Sequence, residues 1–202
     1  MPSTNRRILL VIPISAVVIV GLIAFKLNRR YEEPPAVAVG NVRPAPVFKL
    51  YDEHSQIVRL ERYISRKKLL IVFFNGSQGP EHSELLAQLR DSFAQIHAAG
   101  GQILAISESR PSQNRYGAKL EHRTTAAPDD EIRFPFPLLS DIATSDVAAP
   151  VHREYGAFDE TTSQPREGVF VVDRAGLIQH AHLGPDRLGT TADWVHELEQ
   201  VR

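Results

Sequence analysis

The stretch "LLIVFFNGSQGPEHSELL", residues 69–86, decides how the chain is read. Its first third is a continuous apolar run. Such a run, short and rich in β-branched and aromatic residues, reads as a strand covered on both faces. It ends in a short polar loop with two glycines, Gly76 and Gly79. A helical pattern is then expected to open at Pro80, a residue suited to the first helical position because its missing N–H is unneeded there. Leu85, Leu86, Leu89, Phe93 and Ile96 fall on one helical stripe, and Gly100 and Gly101 end it. A strand feeding a helix through a tight loop is a common place for chemistry in α/β proteins. Gly79, Pro80, Glu81 and His82 occupy this one, and none is an obvious nucleophile.

Working outward, "QILAIS" (102–107) reads as the next buried strand, residues 112–123 as a weaker helix, and residues 124–133 as a surface loop. "PFPLLSD" (135–141) is a short strand and "APVHREYGAF" (149–158) a short helix with its exit. Upstream, "VFKLY" and "QIVRL" flank the polar turn "DEHS", as in a hairpin. Downstream, "GVFVVD" and "LIQHAHL" flank "RAG" in a second hairpin. A last helix spans Thr190 to Val201, with Trp194, Leu198 and Val201 facing inward. Helices alternating with buried strands predict an α/β domain: a mixed sheet with helices on both faces, from residue 43 to 202.

The N-terminal part differs in kind. Residues 1–7 form a short tail, and residues 8–25 carry no charge. A helix of that length spans about 27 Å, close to a hydrocarbon core of roughly 30 Å. A retained transmembrane helix is expected, because "KLNRR" follows it without a small-residue cleavage site. Residues 26–42, with "YEEPPAVAVGN", read as a tether. Arg6 and Arg7 precede the span, and Lys26, Arg29 and Arg30 follow it, a count that leans toward a cytoplasmic C-terminal side.

The 202 residues carry a net charge of −1 and no cysteine. Nucleic acid is therefore not an expected partner, and disulfides and thiolate chemistry are excluded for this chain.

Several segments, in order, resemble the AhpC/TSA (peroxiredoxin and redoxin) family of the thioredoxin fold. They are "RPAPVFKLYDEHSQIVRL", "LLIVFFNGSQGPEHSELL", "LAISESRP", "FPLLSD", "HREYG" and "GVFVVDRAGLI". The resemblance implies a thioredoxin-like sheet and favours an exported domain over the cytoplasmic side. It also implies a peroxidatic cysteine where this chain has Gly79, a second cysteine at His82 and a tryptophan at Gln78; Pro80 alone matches. Glu167 occupies the usual place of a family arginine, with Arg166 one residue off, so no active-site role passes to Arg166.

Peroxide reduction runs through a thiolate and a sulfenic acid, and no serine, Ser77 and Ser83 included, can replace it. The expectation is a degenerate site at Gly79, Pro80 and His82, with no catalytic residue, cofactor or metal. Any remaining binding surface would use Gly76, Ser77, Glu81 and His82. Glu81 and Glu84 are expected in the first helical turn, where carboxylates are worth about 0.3–1 kcal/mol each. His180 and His182 share a strand face, which reads as a solvated surface; joined by His82 or His152 they would be metal-ligand types. The functional expectation is a membrane-anchored binding or scaffolding module with a protein partner in the cell envelope. The alternatives are an oxidoreductase role through a partner that supplies thiols, and a non-thiol enzyme built on His82, Glu81 or a metal.

Overall fold

The computed structural model describes residues 42–117, 131–142 and 147–201. The expected span at residues 8–25, its tail and its tether lie outside these residues, as does most of the expected surface loop at 124–133. Among the described residues no helix is long and apolar enough to cross a membrane.

The strands are β1 (Arg43–Pro44), β2 (Lys49–Asp52), β3 (Ile57–Arg59), β4 (Lys68–Phe73), β5 (Gly101–Ser107), β6 (Leu138–Ser140), β7 (Phe158–Asp159), β8 (Gln164–Pro165), β9 (Gly168–Val172) and β10 (Leu177–Leu183). Eight of them form one sheet in the order β1-β10-β9-β4-β5-β6-β2-β3, and β7 and β8 form a separate ribbon. β4 runs parallel to β5 and antiparallel to β9, with Phe73 opposite both Ile106 and Gly168. The sheet is therefore mixed, as the alternation of elements predicted.

The period of two in the strands divides the core. Leu69, Ile71 and Phe73 of β4 point to one face, with Leu104, Ile106, Phe170 and Val172. Helix α4 (Pro150–Tyr155) covers that face through Val151 and Tyr155. Leu70 and Val72 point to the other face, with Ile103, Ala105, Val169 and Val171. There they meet α1 (Glu84–Asp91), α2 (Phe93–Ala98) and α5 (Thr191–Gln200) through Leu85, Leu86, Leu89, Ile96, Trp194 and Leu198. A further helix, α3 (Pro111–Tyr116), sends the buried Asn114 side chain to the ends of two strands. Its amide oxygen accepts from Ser107 Oγ (2.9 Å), and its nitrogen donates to Ser140 Oγ (3.1 Å).

The expected single helix from Pro80 is three pieces. Pro80–His82 form a 3-10 turn, Ser83 caps α1, and a break at Ser92 separates α1 from α2. Ser83 Oγ accepts from the Leu86 N–H (3.3 Å), satisfying a donor that an uninterrupted helix would have bonded internally. The break at Ser92 turns Phe93 off the inward stripe. It lies half-buried at the rim of the core, while Leu89 and Ile96 are fully buried.

This difference is measurable by urea denaturation. Leu89→Ala is expected to cost about 2–5 kcal/mol, as at other fully buried leucines. Phe93→Ala should cost clearly less, about 1–2 kcal/mol, because a half-buried ring forfeits less area. Equal penalties would place Phe93 in the core after all.

Candidate functional site

The residues expected to form a site lie just beyond the end of β4. The Phe74 N–H still bonds to Ile106 O (3.0 Å), so the ladder carries one residue past the strand. Gly76 then packs against the start of the next loop: an added Cβ would overlap Ser109 Oγ and lie 2.9 Å from Ser107 Cβ. Its N–H points at Glu108 Oε2 (3.4 Å). Asn75 Oδ1 accepts from the Ser77 N–H (2.9 Å), and Gly79 N–H closes a turn onto Gly76 O (3.0 Å). Gly79 has φ 90° and ψ 150°, a region reserved for glycine.

Gly79, Pro80, Glu81 and His82 thus precede the helix instead of opening it. Glu84, not Glu81, is the first residue of α1, and the favourable interaction with the helix N-terminus belongs to it. Glu81 leans away from β4, its carboxylate lying over Gly117 at the end of α3, where any Cβ would collide with it. His82 is largely exposed, 4.0 Å from Glu81. These two are brought together; Gly76 and Ser77 sit on the other limb of the loop.

Across that limb, the register continues into a feature the motif reading did not anticipate. With Phe73 opposite Gly168, Glu167 falls beside Phe74 and Asn75. It is half-buried, and the Asn75 backbone N–H lies near its carboxyl. Burial pushes that carboxyl above the usual carboxylate range; the Asn75 N–H opposes the rise and nearby Glu84 adds to it. Glu167 borders an open groove of about 640 Å³ with Asn75, Asp159, Pro165, Arg166, Leu183, Gly184 and Pro185. Arg166 turns outward to the ribbon, where Nη2 donates to Asp159 Oδ2 at 2.6 Å. That bond, the first of several, holds the exposed Asp159 carboxyl below its usual range. The identity of residue 167 was readable in the sequence. The groove was not, because two of its walls come from β8 and from the turn after β10.

The histidines separate. His152 packs edge-on against Phe73, ring centroids 4.7 Å apart, on the face covered by α4. It is fully buried, and its Nδ1 lies 2.7 Å from Asp141 Oδ2. His180 and His182 engage Glu197 of α5 on the opposite face, at 3.4 Å and 2.9 Å. The hydrogen bond to Glu197 holds His182 above the ordinary histidine range, against a partial opposing effect of burial. The pair is therefore a strand-to-helix link and not a solvated face. Among the described residues no cluster of His, Asp and Glu could hold a metal.

Residues 42–181 match the AhpC/TSA family. The chain is similar to alkyl hydroperoxide reductase E of Mycobacterium tuberculosis, 33% identical over 69% of this chain and 82% of the relative. It is also similar to chloroplastic peroxiredoxin Q of Populus jackii, 25% identical over 66% of this chain and 55% of the relative. Among solved structures, peroxidoxin BcpB from Mycobacterium tuberculosis superposes with a TM-score of 0.60 at 19% identity, covering 79% of this chain and 96% of that one. The mitochondrial 2-Cys peroxiredoxin of Plasmodium falciparum gives 0.58 at 16% identity, covering 78% and 90%. The fold is thioredoxin-like.

Two outcomes are expected from this geometry. The folded-state pKa of Glu167 lies above its unfolded value, so its ionisation costs stability as pH rises through the folded value. Glu167→Gln should therefore stabilise the protein near neutral pH, and the gain should vanish on acidification below the unfolded value of about 4.3. A pH-independent difference in chemical denaturation would contradict the assignment. At Gly79, any side chain must adopt a backbone reserved for glycine, so Gly79→Ala should cost about 1–3 kcal/mol in the same measurement.

Proposed function

We propose, from the premise that the chain belongs to the AhpC/TSA family, that it is a membrane-tethered thioredoxin-fold module that binds a partner and runs no thiol chemistry of its own. The observation that carries this reading is the absence of any cysteine from a chain of 202 residues that otherwise keeps the family's pattern. Peroxide reduction in a protein of the relatives' kind begins with attack by a thiolate, which leaves a sulfenic acid on the enzyme. The family resemblance puts Gly79 at that position, and a glycine has no side chain to attack with.

The surroundings support the same reading. A thiolate is stabilised by a helix N-terminus or a nearby cation. Gly79 stands before a 3-10 turn, four residues ahead of the Ser83 cap. The carboxylates of Glu108 and Glu167 lie along the loop, and Arg166 is engaged by Asp159. Local charge would oppose an anionic nucleophile or an anionic transition state.

The tether is the segment at residues 26–42 and the anchor the uncharged segment at residues 8–25. We place the domain outside the cytoplasm, where a partner in the envelope would meet it. A reporter fused after Arg202 tests this: activity confined to the cytoplasm would reverse the topology.

Catalysis is tested with the full chain, hydrogen peroxide and a dithiol reductant. Peroxide consumption is expected to equal that of a no-protein control. Turnover above the control would sink the module reading. Turnover appearing only after a cysteine-bearing envelope protein is added would instead favour a shared oxidoreductase role.

A further inference from the structure

The groove between the end of β4 and the ribbon has a lining that specifies a ligand chemistry. It has two kinds of wall. Pro165, Leu183 and Pro185 are apolar, and Leu183 is held in place over Gly168, where an added Cβ would lie 2.7 Å from Leu183 Cδ2. Asn75, Asp159, Arg166 and Glu167 are polar. The charges do not balance. Asp159 and Arg166 satisfy each other at 2.6 Å. Among the described residues, Glu167 makes no ion pair with a cation, and the Asn75 backbone N–H lies near its carboxyl. Glu84, at the start of α1, is a second carboxylate near Glu167. On the polar wall, Glu167 is thus a half-buried carboxylate facing the apolar Pro165, Leu183 and Pro185 with no cation paired to it among the described residues.

We propose that this groove binds an organic cation, an ammonium or guanidinium group on a short apolar stem, with Glu167 as the charged acceptor. The stem lies against Pro165, Leu183 and Pro185. The head donates to the Glu167 carboxylate and compensates the charge shared with Glu84. The Arg166–Asp159 pair fixes the rim and excludes a competing anion, because its guanidinium is already occupied. A volume of about 640 Å³ holds a small molecule or one long side chain and not a folded element. The same chemistry arises from a free amine or from a lysine or arginine side chain of a partner. This inference rests on the binding-module reading and names what that module would bind.

The test is calorimetric titration of the full chain in neutral detergent with three probes: n-butylguanidinium, N-acetyl-arginine methylamide and neutral n-pentanol. Saturable binding of the cations is expected, with n-pentanol at least about tenfold weaker, the scale of one charge-assisted hydrogen bond. Glu167→Gln should weaken the cations by about the same factor, and Glu199→Gln, on the exposed side of α5, should not. Equal affinity for the two cations supports a free small-molecule cation as the source. A tenfold preference for the arginine amide supports a polypeptide side chain. Binding that survives Glu167→Gln would overturn the proposal, since the groove would then be reading shape. Failure here leaves the peroxide result untouched, and peroxide turnover would sink the module reading without altering this titration.

Discussion

Strand β4 is hydrogen-bonded along both edges and covered on both faces. β5 and β9 hold it in register, and α4 on one side and α1, α2 and α5 on the other remove its side chains from water. No part of it can shift without breaking two ladders and opening two cores, since a slip of one residue would exchange its faces. Its end point is therefore fixed, and the loop that follows inherits that position. Gly76 must pass close to Ser107 and Ser109, and Glu167 must stand beside Asn75. The candidate site is a consequence of the register of one strand.

That dependence runs one way. The core draws on Leu70, Val72, Leu86, Trp194 and their neighbours, each buried by a hydrophobic driving force that is indifferent to the loop. Gly79 and His82 add little to it. A chain can therefore lose the nucleophile and keep the fold, which is the combination found here: family membership without a cysteine. Where a thiolate needs positive potential, this loop carries Glu108 and Glu167, and the nearby guanidinium of Arg166 is turned to Asp159.

The fold was legible because its signal is periodic. "LLIVFF", "QILAIS" and "GVFVVD" announce buried strands by composition alone, and the stripe through Leu85, Leu86 and Leu89 announces a helix. What failed were features decided by single local bonds. The stripe continues past Pro80 and Ser92 as a pattern, yet Ser83 caps the chain at one place and the helix breaks at the other. Phe93 shows the limit: its spacing fits the core, and a break one residue before it turns the ring to the rim. The motif set Gly79 and His82 at the loop after β4, and the structure puts them there, but the groove needs β8 and the turn after β10 brought against Asn75. Two-residue strands such as Gln164–Pro165 carry no period to read.

Two kinds of ionisable group stand out in the domain, and their contrast separates architecture from function. Asp141 and His152 are fully buried, and Asp141 Oδ2 takes both the His152 side chain (2.7 Å) and its backbone N–H (2.9 Å). The second bond satisfies a donor in the first turn of α4, a helix whose preceding residue, Ala149, has no side chain to cap with. Asp141 is a cap supplied from the end of β6, and it joins the helix to the sheet. Both side chains are fully buried, and the pair ties α4 to the sheet, while Asp141 Oδ1 and His152 Nε2 have no hydrogen-bond partner among the described residues. Glu167 is the opposite. It is half-buried near another carboxylate and borders the groove. Its raised carboxyl costs stability once ionised, and its position at the groove, rather than a link between elements, is what the fold leaves it for.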